Sequence, residues 1–391
     1  MTSRAAIFTS EFPPYPGGIA TYTFEIASAA RKLGLEPVVF APIMAAGLPV
    51  PTEYEVIYCT PSYYRHYHVA KSYVDATRRL RERRFDFVVA ANLNFLVPLA
   101  LIRTSAKKIA VIHGTDAQSR LIAYINALTP LRPYNAFDWV AANSHFSKKL
   151  LLRHNPSVAE RQVVVANLGV SDYWRAPQSA QDIEALTARF SIAPDHVLLV
   201  SVGRIERRKG MAQAIAAISS LPTHLRCRLT YLIVGRTVDH AYAKELAAAI
   251  DASGADIRLT GAIAKDELRA LYHRGHLLMH TATADTSAVE GFGLVFLEAA
   301  ACGLPTLATR VDAIPEVVRD NVTGFLVDDR DIRAIANKIA EVLQNRAMCQ
   351  HMPANCRAYS ATFSWERCAR ITFGLPAAGG EGSSAALTGG D

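Results

Sequence analysis

The chain has 391 residues, of which 50% are hydrophobic, and a formal net charge of +7. This length and composition suffice for two domains with buried cores. The six cysteines show neither Cys-x-x-Cys nor His-Cys metal spacing, so we interpret them as small core residues in a reducing compartment. Residues 1–20 lack a signal-peptide core, and no apolar run approaches the ~20 residues needed to span a bilayer. These features predict a cytoplasmic protein, either soluble or peripheral at the inner face of the membrane.

The positive charge is concentrated in the first half of the chain. Residues 1–180 carry 20 Lys or Arg against 12 Asp or Glu, a net charge of +8, whereas the remainder carries 22 against 23, a net charge of −1. The basic run 78–84 and the aromatic and basic segment 63–68 stand out. One interpretation is a surface for anionic lipid or for a phosphorylated, lipid-linked acceptor. The other interpretation is a set of solvated helix ends. We expect no nucleic-acid partner.

The N-terminal half alternates apolar strands with helical segments, which predicts a mostly parallel sheet. Its first strand runs into a loop with Gly17 and Gly18, followed by a helix over 19–33. The two glycines can leave backbone N–H groups free at the helix start, as an anion cradle requires. The spacing is not Gly-x-Gly-x-x-Gly, which argues against a nicotinamide-dependent enzyme. The predicted strands are 5–10, 38–41, 56–59, 87–91, 109–113, 139–143 and 163–167.

Two histidines in this half follow predicted strands. A lone histidine at a strand end is more often structural, but His113 stands at the carboxyl end of its strand and faces the expected cleft. No general-base role is assigned to it, because sequence does not reveal its tautomer or its neighbours. His145 is interpreted as the first residue of a helix, with Ser144 as its N-cap.

A polar stretch over 171–195 is predicted to be a helix-poor linker, because the strand and helix pattern restarts after it. Three helical segments follow Asp331, and Ser364 is the expected N-cap of the last, over 364–373. Residues 376–391 are rich in Gly, Ser and Ala and are predicted to be disordered. The second set of predicted strands is 197–202, 229–234, 257–260, 277–281, 306–308 and 325–327.

A basic loop follows the strand 197–202, which Gly203 ends. Arg204 and Lys209 therefore stand at the carboxyl end of a strand, where open α/β sheets bind ligands. A guanidinium and an ammonium together suit a diphosphate leaving group whose negative charge grows as the bond breaks. Arg207 and Arg208 are interpreted as solvated members of a basic turn.

Glu290 and Glu298 stand in the same segment, with seven residues between them. Gly291 and Gly293 allow a tight turn, and Leu294 opens a helix whose free N–H groups would face an anion. A carboxylate at Glu298 can accept hydrogen bonds from two vicinal hydroxyls, such as those of a ribose, while Glu290 can reach a sugar or the bond being broken. The alternative is an ordinary buried helix with a surface glutamate at each end.

Together these motifs resemble the large family of retaining nucleotide-sugar glycosyltransferases of GT-B architecture, in the family 4-like branch called glycosyl transferases group 1. The resemblance implies an α/β fold with two Rossmann-like α/β/α domains facing each other across a cleft, and a C-terminal helix that returns to the N-terminal domain. The implied limits are 1–178 for the acceptor domain, 190–355 for the donor domain, 356–375 for the returning helix and 376–391 for the tail.

The resemblance also implies roles for individual residues. Gly17 and Gly18 approach the donor phosphates, Arg204 and Lys209 clamp the diphosphate, and His113 lines the reaction centre. Glu290 contacts the transferred sugar and Glu298 holds the ribose. Recognition of the base is expected from backbone groups near 260–263. The further donor contacts implied are Gly261, Ile263, Gly291, Phe292, Gly293 and Leu294.

The chain departs from the family pattern at two places. The usual Pro-Asn-Gly-Val is replaced by residues 166–170, Ala-Asn-Leu-Gly-Val, which have one residue inserted, so Asn167 is given no role. The glycine pair common before a later Pro-Glu is replaced in residues 311–316, Val-Asp-Ala-Ile-Pro-Glu, which leaves the loop on the diphosphate side open.

The resemblance implies a retaining hexosyltransferase that moves a sugar such as mannose or glucose from a UDP- or GDP-sugar to an acceptor hydroxyl, in glycolipid, polysaccharide or other glycoconjugate biosynthesis. We expect no cofactor and no metal, because no Asp-x-Asp pair stands where it could hold a divalent ion on a diphosphate. Three alternatives stay open: a sugar phosphorylase, a nucleotide-sugar epimerase, or a non-catalytic relative that binds nucleotide sugars.

Overall fold

The computed structural model describes residues 2–43, 50–60, 68–285, 288–345 and 349–376. The predicted disordered tail from 377 onward, and all but the last residue of the aromatic and basic segment 63–68, lie outside these ranges.

The first sheet has seven parallel strands in the order β3-β2-β1-β4-β5-β6-β7. Its central strands are buried on both faces, as expected of a parallel sheet covered by helices. The strands are β1 (Arg4–Phe8), β2 (Glu36–Pro42), β3 (Glu55–Thr60), β4 (Phe87–Ala90), β5 (Lys107–Ile112), β6 (Trp139–Ala142) and β7 (Val163–Val165). The helices of this half are α1 (Gly18–Lys32), α2 (His68–Glu82), α3 (Leu93–Leu101), α4 (Arg120–Leu128) and α5 (His145–His154).

The second sheet has six parallel strands in the order β10-β9-β8-β11-β12-β13. Its strands are β8 (Val197–Val202), β9 (Leu229–Val234), β10 (Asp256–Gly261), β11 (Leu277–His280), β12 (Thr306–Thr309) and β13 (Gly324–Val327). The helices from residue 172 onward are α6 (Asp172–Arg175), α7 (Ala180–Arg189), α8 (Met211–Ser219), α9 (Thr223–Arg226), α10 (His240–Ser253), α11 (Lys265–Arg274), α12 (Leu294–Cys302), α13 (Ile314–Val317), α14 (Ile332–Gln344), α15 (Met352–Ser360) and α16 (Trp365–Thr372).

The two predicted Rossmann-like domains are confirmed, and each of the predicted strands is present with its ends within two residues of the prediction. In both sheets the strand order reverses beside the first strand, between β1 and β4 and again between β8 and β11. Ligands of open α/β sheets bind at such reversal points, beyond the carboxyl ends of the strands. The loops after β1 and β8 are therefore placed to form a site. The numerical domain limits stay predictions.

The prediction that residues 171–195 are poor in helix is wrong. Helices α6 and α7 occupy much of this stretch, and Ser179 caps α7 by accepting a hydrogen bond from the Asp182 N–H. Leu186 and Ile192 are buried in an apolar cluster that includes Leu271 of α11. Tertiary packing therefore stabilises helices in a segment whose polar composition suggested none.

The C-terminal helix returns to the first domain, as expected. Ser364 caps α16 by accepting a hydrogen bond from the Arg367 N–H. The Trp365 ring lies edge-on to Tyr22 of α1, and the Trp139 indole N–H donates to the Thr372 carbonyl at 2.8 Å. The crossing of the chain between the domains is thus fixed by aromatic packing and a partly buried hydrogen bond.

The cysteines are only partly core residues. Cys302, Cys356 and Cys368 are buried, but Cys227 is exposed just after the short helix α9, so its interpretation as a core residue is wrong. Within the described ranges, no helix combines the length and the apolar character needed to cross a membrane.

We predict that Gly169→Ala will destabilise the crossing. A methyl group at this position would lie 2.3 Å from the Trp365 backbone nitrogen and 2.5 Å from the Ser364 carbonyl carbon, and neither atom can move without shifting α16. The expected cost is about 1–3 kcal/mol, measured as a lower midpoint of thermal unfolding. Gly18→Ala is the matched control, because no neighbouring atom lies within 4 Å of its new methyl group. Equal midpoints for the two variants would contradict this interpretation.

Candidate functional site

Glu290 is the centre of a buried cluster of charges below the N-terminus of α12. Its side chain is 11% exposed, and its Oε2 lies 2.6 Å from Lys209 Nζ and 2.9 Å from Arg208 Nη1. His280, the last residue of β11, places its Nε2 3.5 Å from the same oxygen. Since an unpaired charge would be costly at this depth, the two cations are what allow the carboxylate to be buried.

The protonation states follow from these contacts. Burial by itself would raise the pKa of Glu290, but Lys209, His280 and Arg208 outweigh it and hold the pKa well below its ordinary value. Burial lowers the pKa of His280, which leaves its imidazole neutral near pH 7. The Glu290 carboxylate is therefore ionised between the cations of Lys209 and Arg208, at the carboxyl edge of the second sheet.

The interpretation of Arg208 as a solvated residue is wrong. Its side chain is 10% exposed and bridges Glu290 to Glu206. Arg207, beside it, is exposed as predicted and pairs with Glu245. The two side chains diverge because residues 207–209 form a 3₁₀ turn, in which consecutive side chains point in different directions.

Arg204 does not join the Glu290 cluster. Its side chain is 60% exposed and its Nη2 lies 3.3 Å from Glu206 Oε1. Arg204 and His113 act from opposite sides of the cleft on Glu11, in the loop after β1: burial raises the pKa of Glu11, and these two groups oppose the increase. Arg204 thus faces the first domain, where a ligand between the domains can reach its guanidinium.

Gly17 and Gly18 lie at the start of α1. Gly17 is the N-cap residue and Gly18 is the first helical residue. The space around Gly18 is open, whereas a methyl group on Gly17 would approach Glu11 Oε2 at 3.4 Å. The N-terminus of α1 therefore presents accessible backbone N–H groups to the cleft, an arrangement that can bind an anion.

His113 follows β5 directly at the domain interface. Its Nε2 lies 2.9 Å from the Ala91 carbonyl oxygen, and its ring packs edge-on against Tyr22. Across the cleft, a methyl group on Gly291 would lie 1.8 Å from the His113 carbonyl oxygen, and one on Gly114 would lie 2.7 Å from the Gly291 Cα. The two domains thus meet backbone to backbone, between His113 and Glu290, at a spacing that only glycine permits.

Three sets of hydrogen bonds extend this meeting of the domains. The Val289 N–H donates to Thr115 Oγ1 at 3.1 Å, and the Ser144 hydroxyl donates to the Gly291 carbonyl at 2.7 Å. The Glu316 carboxylate accepts from the first two backbone N–H groups of α5 at 2.7–2.8 Å. Ser144 is also the N-cap of α5, as predicted. The structure is therefore a closed arrangement of the two domains.

Glu298 lies on the second turn of α12 and faces a different part of the cleft. With Glu25 of α1 and Lys265 of α11, it lines a cavity of about 50 Å³. Burial raises the pKa of Glu298 to about 7; Lys265 lowers this pKa and Glu25 raises it further. The cavity is much smaller than the ~300–1,000 Å³ of ordinary ligand pockets, so a molecule the size of a nucleoside does not fit into it in this closed arrangement.

The other predicted donor contacts are divided between these two regions. Gly291 and Gly293 form the turn before α12, and Gly293 is its N-cap with a φ of 85°. Phe292 is buried against Phe363, and Leu294 lines the cavity of Glu298. Gly261 ends β10 with a φ of 73° and open space around it, and Ile263 packs on the core below. Asn167 donates to the Asn143 carbonyl, a structural contact.

Sequence reasoning missed several residues of the site besides Arg208. Asp312 accepts a hydrogen bond from the Glu290 N–H at 2.7 Å, and Glu316 reaches α5 of the other domain. The signal for Asp312 was the departure at 311–316, where side chains stand in place of a glycine pair, whereas Glu316 belongs to the Pro-Glu that the chain keeps. Glu25 and Lys265 carried no sequence signal, because only the fold brings them to Glu298.

Two Rossmann-like domains that face each other with a basic loop and a carboxylate at the strand ends define the GT-B class of protein. The family model described as Glycosyl transferases group 1 matches residues 182–359, and the one described as Glycosyltransferase Family 4 matches residues 16–172. The chain therefore belongs to the group 1 glycosyltransferases of GT-B fold.

Named relatives and solved structures agree with this family. The chain is 26% identical over 246 residues to the serotype-specific mannosyltransferase WbdA of Escherichia coli, a match over 62% of this chain and 29% of WbdA, so it spans less than a third of that relative. It is 25% identical to the GDP-mannose-dependent alpha-(1-6)-phosphatidylinositol monomannoside mannosyltransferase of Mycobacterium tuberculosis, over 93% of this chain and 95% of that protein.

Solved structures share the fold. A glycosyltransferase from Rickettsia africae has a TM-score of 0.78 at 20% identity, over 95% of this chain and 97% of that chain. HepE of Anabaena, solved with UDP-glucose, has a TM-score of 0.75 at 20% identity and coverages of 95% and 98%. At these identities the solved structures show the fold alone.

We predict that Glu298→Gln will stabilise the unliganded protein at pH 8 more than at pH 5. The folded-state pKa of about 7 lies above the ordinary value of 4.5, so the protonated carboxyl favours folding, and this contribution is lost as pH rises through 7. The glutamine side chain is neutral at both pH values, so the variant does not lose this stability as pH rises. The measurement is the difference in thermal midpoint between variant and parent at each pH. Glu184→Gln, an exposed change on α7, is the control, and an equal gain at both pH values would disprove the pKa assignment.

Proposed function

We propose that the protein transfers a hexose from a UDP- or GDP-sugar to an acceptor hydroxyl with retention of anomeric configuration. The observation that carries the proposal is the position of Lys209 and Arg208, two buried cations on Glu290 at the carboxyl edge of the donor-side sheet. This cluster stands beside the N-terminus of α12, whose free N–H groups and dipole favour a bound anion. A diphosphate there meets positive charge on two sides, and the transferred sugar meets Glu290.

The donor's parts fit the two regions of the cleft. Lys209 and the exposed Arg204 bind the diphosphate, with the N-terminus of α1 at Gly18 approaching from the other domain. Glu298 accepts hydrogen bonds from the vicinal ribose hydroxyls, for which it must be ionised. Backbone groups near Gly261 recognise the base. Because Lys209 is 2.6 Å from Glu290 in the unliganded protein, an arriving diphosphate competes with Glu290 for the ammonium.

The chemical step follows from this placement. The bond from the sugar C1 to the diphosphate oxygen breaks, and the acceptor oxygen bonds to C1 on the same face. The acceptor proton passes to an oxygen of the departing diphosphate, so no enzyme nucleophile is needed. Lys209 and Arg204 stabilise the negative charge that develops on the leaving group, and the closed cleft limits attack by water.

The proposal includes transfer without a metal ion. The positive charge that a divalent ion would place on the diphosphate is supplied here by Lys209, Arg208 and Arg204, together with the N-terminus of α12. Activity that persists in the presence of a chelator would support this part, and activity that returns only with added Mg²⁺ or Mn²⁺ would refute it.

The relatives suggest the kind of donor and pathway. The mycobacterial relative is described as GDP-mannose-dependent, and HepE was solved with UDP-glucose. We therefore propose a mannosyl or glucosyl donor and a place in glycolipid or polysaccharide synthesis. The loop at 260–263, which is proposed to recognise the base, contains the uncharged residues Thr, Gly, Ala and Ile. Side-chain charge in this loop therefore does not discriminate between UDP and GDP.

The acceptor is proposed to be lipid-linked or phosphorylated, with the protein at the inner face of an anionic membrane. The support is the basic surface of α2 and the residues after it. Ion pairs neutralise part of the positive charge of this surface, because Arg78 and Arg79 both pair with Glu82, and Arg83 pairs with Glu55. The positive charge left over comes from Arg81, from Arg84 and from the one charge by which Arg78 and Arg79 exceed Glu82, together with charge elsewhere in the domain.

Substitutions at the donor site are predicted to separate binding from turnover. Glu298→Ala is expected to raise the dissociation constant of the donor, and Lys209→Ala to lower kcat, each by the ~1.5–3 kcal/mol of a charged hydrogen bond, or about 10- to 150-fold. The assay is transfer of radiolabelled sugar from candidate donors, with folding checked by circular dichroism. Arg207→Ala is the control, since this neighbouring cation is 58% exposed and binds Glu245. Near-normal kinetics in both site variants would overturn the assignment.

We predict that the protein will sediment with vesicles containing anionic lipid at low salt, and less so with neutral vesicles. Each basic residue near such a surface contributes about 1 kcal/mol of attraction, which salt screens. The matched variant is Arg81→Glu combined with Arg84→Glu, which reverses two arginine charges that form no ion pair with the residues the structure describes. Equal sedimentation with both kinds of vesicle would remove the membrane from the proposal.

A further inference from the structure

The main chain at Glu290 and Gly291 is held from both domains. On the donor side, Asp312 Oδ2 accepts from the Glu290 N–H at 2.7 Å, and the Ala313 N–H donates to the Glu290 carbonyl at 3.2 Å. On the other side, the hydroxyls of Ser144 and Ser147 both donate to the Gly291 carbonyl, at 2.7 and 3.3 Å. Both serines are fully buried. The turn that carries the Glu290 carboxylate is therefore fixed by two separate elements.

These two elements are also bonded to each other. Glu316, four residues after Asp312, directs its carboxylate at the first turn of α5 and accepts from the N–H groups of His145 and Phe146. Ser144, the residue before them, is the N-cap that binds Gly291. A carboxylate at a helix N-terminus is favoured by both the free N–H groups and the helix dipole. The contacts thus close a ring from Glu290 through Asp312, Glu316 and Ser144 back to Gly291.

Asp312 makes this ring specific to the present sequence. Its φ is +53°, in the left-handed region that glycine adopts easily and that aspartate tolerates. The family pattern has a glycine pair before the Pro-Glu, and a glycine has no side chain with which to hold the Glu290 amide. Here the backbone conformation is kept and a carboxylate is added, with Arg208 near enough to offset its charge.

We propose that residues 312–316 couple closure of the two domains to the position of Glu290, with Asp312 and Glu316 as positioning residues. Separation of the domains breaks the contacts of Glu316 and Ser144 together and leaves Glu290 held from one side only. The nucleotide binds in the open state through residues of the donor domain, whereas sugar transfer requires the closed ring. The consequence for the sugar rests on the proposed function, but the coupling itself does not.

Amide hydrogen exchange tests the coupling without any ligand. In Glu316→Ala, we expect the Val289 and Glu290 amides, which bind Thr115 and Asp312, to exchange at least about tenfold faster than in the parent protein. The control is Asp331→Ala, which removes the N-cap of α14 in the same domain and leaves the ring intact. Glu316→Gln, which keeps one acceptor, replaces Glu316→Ala if the latter does not fold. Unchanged exchange at residues 289 and 290 would overturn the proposal.

Kinetics test the consequence for transfer. Asp312→Gly keeps the left-handed backbone and removes the clamp, so we expect both it and Glu316→Ala to lower kcat about tenfold or more, while the dissociation constant of free UDP or GDP stays within about twofold. Asp312→Asn, which restores an acceptor, should recover most of the loss. The double variant should be no slower than the slower single variant, because both break one ring.

The two possible failures are distinguishable. Multiplying effects in the double variant, or a loss of stability with no change in kcat, would show that Asp312 and Glu316 act independently and would contradict the coupling. A parent protein that transfers no sugar from any donor would instead refute the proposed function, and the exchange experiment would still decide whether the ring exists.

Discussion

The burial of the Glu290 carboxylate against Lys209 and Arg208 is the interaction on which the arrangement of the site depends. Removing three charges from water costs free energy. The attraction between the paired charges offsets this cost only when their geometry is good and their remaining hydrogen bonds are made. The cluster is therefore poor as a source of stability. Its two cations lie at a strand edge beside a helix N-terminus, where they can turn from the carboxylate to an anionic ligand.

The two sheets supply the geometry for this cluster. Both are parallel and reverse their strand order beside the first strand, so each domain presents its loops at the carboxyl edge. The returning helix α16 and the glycine contact between Gly114 and Gly291 bring these edges face to face. A nucleoside at Glu298, as proposed, requires this closed arrangement to open, because the cavity there measures only about 50 Å³. Opening and closing are thus part of how such a site works.

Sequence predicted most of the architecture and the polar residues at its edges, but it did not predict which of them meet. Strand positions and the caps at Ser144 and Ser364 follow from local patterns, which act over a few residues. The contacts of Asp312 and Glu316 join residues 22 and 171 positions apart, and no local pattern encodes them. Arg208 was misjudged for a related reason: in a basic run, the direction of each side chain is set by a 3₁₀ turn and by a partner 82 residues away.

The account is tested most directly by a crystal structure of the protein soaked with UDP or GDP. It predicts a diphosphate in contact with Lys209 and Arg204, a ribose hydrogen-bonded to Glu298, and a Lys209 ammonium that has moved from Glu290 toward the phosphate. A nucleotide bound away from Lys209 and Arg204, with the Glu290 cluster undisturbed, would contradict the central claim that these cations receive the donor.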